Sequence, residues 1–523
     1  MSPRLALEAV EVHAGARRLL GPVSLELVAG ECIGLVGESG SGKSLTVQAL
    51  LGLLPGGLHA TGRLREGTTA FAPGTPAHVA LRGRVIGWVP QDPLASLHPL
   101  RRVGAQLVET LRVVRRLDRA TARAEAIALL ERVHLPAPAA ALDRFPHEFS
   151  GGQRQRIAIA LALATAPRVL VADEPTSALD ARIARDILDL LDGLRRETGL
   201  AVLLVSHDLP LVGAYAQRVH VLRGGEVVEH GPTTHVFAAP SHPYTGELLA
   251  ADAAAPMAVP TGTREPVLQA RGLRLRYPRA ARDALDGIDL DLRRGEGLAL
   301  VGESGSGKSS LGRVLLRLAR GARGEVRFHP RGGAPVDLLA LDGSSLRTLR
   351  PQLGVVFQDP YASLDPRLRI VDVVGEPLRL RGMAAAARRE MVATLLGDVG
   401  LHPDALDRHP HQFSGGQRQR IAIARALAGD PELLVCDEAV SALDAHHRGA
   451  ILALLARLKA ERDLALLFIT HDLAAAAAVA ERIVVLEDGR VVEQGPVADV
   501  LAAPSHPHTR ALVAARPPHP AGG

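Results

Sequence analysis

The feature that most constrains this 523-residue chain is that it contains itself twice. GESGSGKS at 37–44 returns at 302–309, and FSGGQRQRIAIA at 149–160 returns at 413–424. SALD at 177–180 recurs at 441–444, His-Asp-Leu from His207 recurs from His471, and Pro-Ser-His-Pro from Pro240 recurs from Pro504. Solenoid units repeat at roughly 20–50 residues, so a period this long means a whole domain duplicated. Each copy is long enough for one hydrophobic core of its own. The expected layout is therefore one domain over 1–250, a linker over 251–265, a second domain over 266–514 and a frayed end over 515–523. The linker, ADAAAPMAVPTGTRE, is rich in Ala and Pro and lacks hydrophobic periodicity.

Composition narrows the class. Hydrophobic residues make up 47% and charged residues 22%, the balance of a globular protein. Aromatics are only 2%, so Leu, Val, Ile and Ala must build the cores. A net charge of +5, from 61 basic and 56 acidic residues, makes no case for a nucleic-acid partner. Two cysteines, Cys32 and Cys436, exclude a disulfide framework, a four-cysteine zinc site and an iron–sulfur cluster. Each lies in an apolar stretch that reads as a buried strand. No apolar run approaches the ~18 residues of a membrane span, and the opening MSPRLALEAVEV lacks the apolar block of a signal peptide. We expect a soluble chain that stays in the cytoplasm and meets a membrane only through partners.

Within the first copy, strands are expected at 5–12 and 32–36, followed by a Gly-rich turn and a helix from Lys43. An Arg- and Ala-rich helical region follows over 101–142. Then come a helix from Gly151, a strand at 168–172, a helix after Asp180, a strand at 201–205 and a hairpin over 218–229. Short apolar runs alternating with helices argue an α/β fold, a mostly parallel sheet covered on both faces. The first strands and the hairpin add an antiparallel part.

The chemistry begins at 37–44, a G-x-x-x-x-G-K-S pattern between a strand and a helix, which is the P-loop context. Gly37, Ser39, Gly40, Ser41 and Gly42 let backbone N–H groups wrap a phosphate at a helix amino terminus. Lys43 then neutralises β- and γ-phosphate oxygens, and the Ser44 hydroxyl coordinates Mg²⁺. Gly302, Ser304, Gly305, Ser306, Gly307, Lys308 and Ser309 repeat the arrangement. The chain has three lysines, Lys43, Lys308 and Lys459, and two of them fall on this one position. Arginine serves nearly everywhere else, but its planar fork cannot replace a compact ammonium in that cradle.

Two apolar strands end in acid pairs, Asp173-Glu174 and Asp437-Glu438. The first acid of each pair would join the Mg²⁺ shell, and the second would polarise an attacking water, typically worth about 10²–10⁴-fold. Ser150-Gly151-Gly152-Gln153 and Ser414-Gly415-Gly416-Gln417 each open a helix, a second anion site in a domain that already has one. The economical explanation is that each such helix caps a nucleotide held by the other copy.

With these motifs the sequence resembles the ATP-binding cassette (ABC) ATPases over essentially both halves. The resemblance implies two tandem P-loop domains, each with an antiparallel β subdomain and a helical subdomain, binding ATP and Mg²⁺ and hydrolysing ATP. It implies head-to-tail closure, with each signature helix completing the partner's site. It makes Gln91 and Gln358 the Q-loop residues, also metal ligands beside Ser44, Asp173, Ser309 and Asp437. His207 and His471 become switch histidines, Asp180 and Asp444 close the D-loops, and Tyr277 stacks on adenine, its first-half counterpart being His13. Q-loops that continue as QDPLASLHP and QDPYASLDP, with PSHPYT and PSHPHT tails, look like the oligopeptide/dipeptide/nickel import branch. That branch implies two integral membrane permeases, an extracytoplasmic binding protein, no nucleic acid, and a peripheral place on the cytoplasmic side of the inner membrane.

The sequence also departs from the family. The tails lack the cysteines often found in this branch, Asp-Glu-Pro-Thr becomes Asp437-Glu438-Ala439-Val440, and Leu161 stands where copy two has Arg425. His506, His508 and His519 read as a solvated tail rather than a metal site. Two alternatives remain: a fused-cassette sugar importer, disfavoured by the tails and by two intact halves, and a soluble tandem-cassette translation factor, disfavoured by the short linker.

Overall fold

A computed structural model describes residues 4–177, 179–252, 264–278, 280, 282–440, 443 and 445–515. The chain divides into two compact units, one running to Ala251 and the other from Asp252 to Ala515. The expected linker and frayed end lie almost wholly outside the described residues, as do Ser441, Asp444 and His519.

Each unit is built on two sheets. In the first, strands Arg17–Leu27, Leu5–Ala14, Leu58–Glu66 and Thr69–Phe71 form an antiparallel sheet in that order. The second sheet runs Glu226–Pro232, Arg218–Arg223, Cys32–Val36, Ala201–Val205, Val169–Asp173 and Ile86–Val89. All its pairings are parallel except the first. Strands Cys32–Val36 and Ala201–Val205 are buried at every position, which is why they read as unbroken apolar runs rather than alternating ones. The second unit repeats both sheets, its parallel one ordered Leu353–Val356, Leu433–Asp437, Ala465–Ile469, Gly297–Val301, Arg482–Glu487, Arg490–Pro496. Cys32 and Cys436 are buried as expected, and burial pushes the Cys32 thiol up to about 12.

Boundaries differ from expectation for local reasons. The single helical region expected over 101–142 is three helices, Val103–Val114, Arg119–Arg132 and Pro138–Ala141. The first break falls where Arg116 adopts a left-handed φ of 57° and Asp118 caps the next helix through the N–H groups of Ala120 and Thr121. The expected strand at 168–172 is Val169–Asp173, because exposed Arg168 turns outward to pair with Glu66. The tails are helices too, Pro243–Asp252 and Pro507–Ala515. Each is pinned by one acid: Glu229 accepts from Ser241 N–H, Ser241 Oγ and His242 N–H, and Glu493 accepts from the same set at Ser505 and His506. The solvated-tail reading is corrected for His508, which is buried and pairs with Glu487 at 3.1 Å.

Candidate active site

In both units the P-loop joins a buried strand to a helix that begins on the lysine, Lys43–Leu51 and Lys308–Leu315. The residue before each lysine is a glycine by necessity. Gly42 and Gly307 sit at φ 110° and 107°, and a Cβ on them would lie 2.7 Å from Leu20 Cδ1 and 2.5 Å from the Ala284 carbonyl oxygen. Each lysine curls back over its own loop. Lys43 Nζ donates to the carbonyls of Gly37 (2.6 Å) and Glu38 (2.8 Å), and Lys308 Nζ to those of Gly302 and Glu303 (both 2.7 Å). Both side chains are buried, so the loop encloses a fixed positive charge. The buried hydroxyls of Ser41 and Ser306 in the same loops have no hydrogen-bond partner among the described residues.

The acid pairs stand at the carboxyl ends of strands Val169–Asp173 and Leu433–Asp437. Glu174 and Glu438 adopt left-handed φ values of 45° and 49°, which lets each carboxylate turn away from its strand. Strain of this kind persists only where the surroundings fix it. Here the N–H of each donates to the neighbouring strand, Val205 or Ile469, at 2.9 Å. The two carboxylate oxygens then face different partners. Gln91 Nε2 donates to Glu174 Oε2 at 2.8 Å while His207 Nδ1 lies 3.4 Å from Oε1. Gln358 and His471 repeat this on Glu438 at 2.7 and 3.5 Å. Two residues from separate segments thus converge on the carboxylate of a third, leaving lone pairs to accept from a water. His471 holds the Glu438 carboxyl below its ordinary value.

The neighbouring aspartates respond in the opposite sense. Burial, aided by the Glu174 charge and opposed by Lys43, raises Asp173 to about 6. Asp437 is also raised by burial, though the Ser309 hydroxyl, which donates to its Oδ1 at 2.9 Å, works against the shift. Such an all-oxygen set of hydroxyl and carboxylate is what a hard divalent cation takes, and a nearby cation would restore the charged form that burial disfavours.

The signature helices, Gly151–Leu163 and Gly415–Leu427, open with reciprocal caps. Gln153 N–H donates to Ser150 Oγ while Ser150 N–H donates to Gln153 Oε1, and Ser414 with Gln417 does the same. Ser150 and Ser414 are exposed. The second glycine of each motif allows the following helix to approach: a Cβ on Gly152 would meet Ile183 at 2.6 Å, and one on Gly416 would meet His447 at 2.5 Å. Asp180 caps helix Ala181–Thr198 through the Ile183 N–H. Tyr277 follows strand Pro266–Leu275, half-exposed, with its hydroxyl 3.1 Å from Ser310 Oγ on the P-loop helix. His13 remains inside its strand, stacked on His59 with ring centroids 5.4 Å apart and bound to Glu11.

One contact gave no sequence signal. Tyr244, in the tail helix and nearly fully buried, accepts a hydrogen bond from the P-loop N–H of Glu38 at 3.1 Å. The HPYT motif marks the residue, but only folding brings it 206 positions back to the phosphate loop.

Comparison with known proteins resolves the identity of this assembly. The ABC transporter family matches residues 20–177 and 285–441, more than half of the chain. The chain belongs to the ABC transporter family. The C-terminal region of oligopeptide/dipeptide transporters also matches twice, at 228–263 and 492–522, on the tails of both halves. Glutathione import ATP-binding protein GsiA is 42% identical in Salmonella typhimurium and in Escherichia coli K12, over 95% of this chain and 86% of the relative. Peptidoglycan transport ATP-binding protein YejF of Agrobacterium fabrum is 41% identical over 94% of this chain and 92% of its own. Among solved structures, cbiO1 of Clostridium perfringens is 28% identical over 46% of this chain and 92% of its own, with a TM-score of 0.41. This ABC protein is therefore an ATP-binding, ATP-hydrolysing importer subunit of the oligopeptide/dipeptide type with two cassettes in one chain. The tail matches favour that reading over a sugar importer or a translation factor. An importer's ATP-binding subunit works with membrane permeases, and no described helix is long and apolar enough to cross a membrane itself.

Proposed function

We propose that this chain powers import of small peptide-like solutes from two composite ATP sites, each shared between the halves. The observation that carries the reading is the duplicated Gln–Glu–His cluster, intact in both units to within 0.1 Å. Site one would combine Lys43, Ser44, Gln91, Asp173, Glu174 and His207 with Ser414, Gly415, Gly416 and Gln417. Site two would combine Lys308, Ser309, Gln358, Asp437, Glu438 and His471 with Ser150, Gly151, Gly152 and Gln153. The P-loop amides and lysine bind the β- and γ-phosphates. Ser44, Gln91 and Asp173, with Ser309, Gln358 and Asp437 in the other half, would hold Mg²⁺, which when bound neutralises charge developing on the phosphates. Glu174 and Glu438 orient water, each held by its glutamine, and the histidine beside each faces the γ-phosphate. Because both glutamates are present and positioned alike, both sites hydrolyse ATP.

Tails of the oligopeptide/dipeptide type in both halves, and relatives named for glutathione and peptidoglycan transport, support short peptides or peptide-like thiols as cargo. The chain would sit on the cytoplasmic face of the inner membrane beneath two permeases that receive solute from an extracytoplasmic binding protein. The cross-wired site makes a non-additivity claim. Lys43→Ala combined with Ser414→Arg should hydrolyse ATP little worse than either alone, since both disable site one. Lys43→Ala combined with Ser150→Arg should be about 10²-fold worse or more, since no intact site remains. Steady-state ATPase rates of the full chain decide it, and the reverse ranking would mean that each half closes on its own signature.

A further inference from the structure

The second cassette carries a cavity of about 470 Å³ that plays no part in the chemistry above. Four arginines, Arg331, Arg347, Arg381 and Arg462, line it with Gln352 and two acids, Asp430 and Glu432. Gln352 and Glu432 immediately precede strands Leu353–Val356 and Leu433–Asp437, whose opposite ends lead to Gln358 and to Asp437-Glu438. The cavity therefore lies at the far end of the same two strands, about 17 Å from the site by strand rise.

Its charges are not self-cancelling. Glu432 already accepts from Arg294 at 2.7 Å and from the Arg331 N–H at 2.9 and 3.0 Å. Arg462 is held by Asp398 at 2.5 Å and Arg331 by Asp463 at 3.0 Å. Arg381 commits one nitrogen to the Gly429 carbonyl at 3.3 Å, and Arg347 has no hydrogen bond or ion pair among the described residues. Two exposed guanidinium forks thus face one cavity with most donors unused. Beside them the buried Oε1 of Gln352 has no donor among the described residues. At the equivalent positions the first cassette differs: Ala80, Val85, Val114 and Thr198 stand where the second has Arg347, Gln352, Arg381 and Arg462, and Arg168 replaces Glu432.

We propose that this cavity binds a small multivalent anion, with Arg347 and Arg381 gripping two acidic groups and Gln352 accepting from a hydroxyl or amine of the same molecule. Guanidinium pairs grip carboxylates and phosphates alike, so the probes must separate the two. Citrate, tricarballylate (the same acids without the hydroxyl) and inorganic pyrophosphate are titrated calorimetrically into the full chain at low salt. Lys43→Ala and Lys308→Ala remove the P-loop cradles as competing sites. Expected is saturable one-to-one binding of citrate or pyrophosphate that Arg347→Ser with Arg381→Ser weakens about tenfold or more, the worth of a charge-assisted hydrogen bond. Tighter citrate marks a polycarboxylate ligand, tighter pyrophosphate a phosphorylated one, and citrate should exceed tricarballylate. The Arg347→Ser/Arg381→Ser variant with native P-loops should keep its basal ATPase rate, which verifies its fold. No saturable binding, or binding untouched by the double substitution, overturns the site. Equal affinity for citrate and tricarballylate overturns the role given to Gln352.

Discussion

The two halves of the molecule keep one set of distances and let another drift. Glutamine to glutamate, histidine to glutamate and lysine to loop carbonyl agree within 0.1 Å between cassettes. The supports around them do not agree. Arg425 of the second signature helix reaches the Ser363 carbonyl beside the Q-loop, where the first cassette has Leu161 packed on its core. Arg418 lies over the Tyr361 ring, where the first cassette has Leu94. The tail residue Tyr244, under Arg223, becomes His508 beside Glu487. The groups proposed to meet phosphate or water keep their geometry in both halves, whereas a support can be rebuilt with different chemistry if it fills the same place.

The deepest rebuilt support gives the largest expected effect. Lys459 Nζ meets Glu481 at 2.7 Å, both side chains 4% exposed, and Glu481 also accepts from the Gly297 N–H at 2.6 Å. The equivalent positions in the first cassette are Arg195 and the neutral Gln217, which accepts from the Cys32 N–H at 2.8 Å. Lys459→Met should destabilise the second cassette by about 3–5 kcal/mol, because it leaves Glu481 charged and buried. Arg195→Met should cost less, since its partner Asp192 retains Arg196 at 2.6 Å. Adding Glu481→Gln to Lys459→Met should recover most of the loss by copying the first cassette's neutral solution. Urea unfolding of the full chain checks all three. A double variant no better than Lys459→Met would show that the two cassettes do not share this design.

The next effect belongs to the tails. Tyr244→Phe removes the acceptor from the Glu38 N–H and should weaken ATP binding at site one by about 1–2 kcal/mol. Nucleotide titration with Lys308→Ala silencing site two measures it. His508→Phe, with no such bond to the P-loop, should leave site two's affinity nearly unchanged. A common anchor should treat both tails alike. Burial works to raise Glu229 and Glu493, but hydroxyl and N–H donors from Thr245, Ser241 and His242, and from their counterparts, outweigh it and bring both carboxyls down to about 2. A depressed carboxyl stabilises above its unfolded value and loses that contribution as pH falls through its folded one. Both tail helices should therefore keep slow amide exchange at about pH 4.5 and lose it on approach to about pH 2. Release of only one tail would limit the shared anchor to that half.

How much of this was legible in the sequence follows from the range of each interaction. The P-loops, acid pairs and signature caps could be read because each is one short segment with its own strand or helix around it. The convergence of Gln91 and His207 on Glu174 was available only as a family expectation, since three segments must fold to make it. Tyr244 against Glu38, and the Arg347 and Arg381 forks around one cavity, left no local pattern at all. His508 reads as solvated in the sequence because its partner Glu487 ends a strand twenty-one residues earlier. The breaks in the helical region were hidden because a left-handed arginine such as Arg116 carries no glycine to announce it.

The smallest effect tests whether the two sites differ in function as well as in support. Tyr277 offers a half-exposed ring anchored on the P-loop helix through Ser310, whereas Leu45 replaces Ser310 in the first cassette. His13, the expected counterpart, follows Val12 as Arg276 follows Leu275, one place short of the register of Tyr277, and is turned to Glu11 and His59 within its strand. If Tyr277 stacks on adenine, the first site lacks that face and should bind ATP more weakly by about 0.5–1.5 kcal/mol, the usual worth of an aromatic pair. Affinities of the Lys43→Ala and Lys308→Ala chains, each with one working cradle, give the comparison directly. Tyr277→Ala should then lower site two to the level of site one, while His13→Ala should change site one little. Equal affinities in the two starting chains would show that the sites match in adenine grip as well as in catalytic geometry. A large loss on His13→Ala would instead mean that His13 leaves its stack on His59 to meet the base.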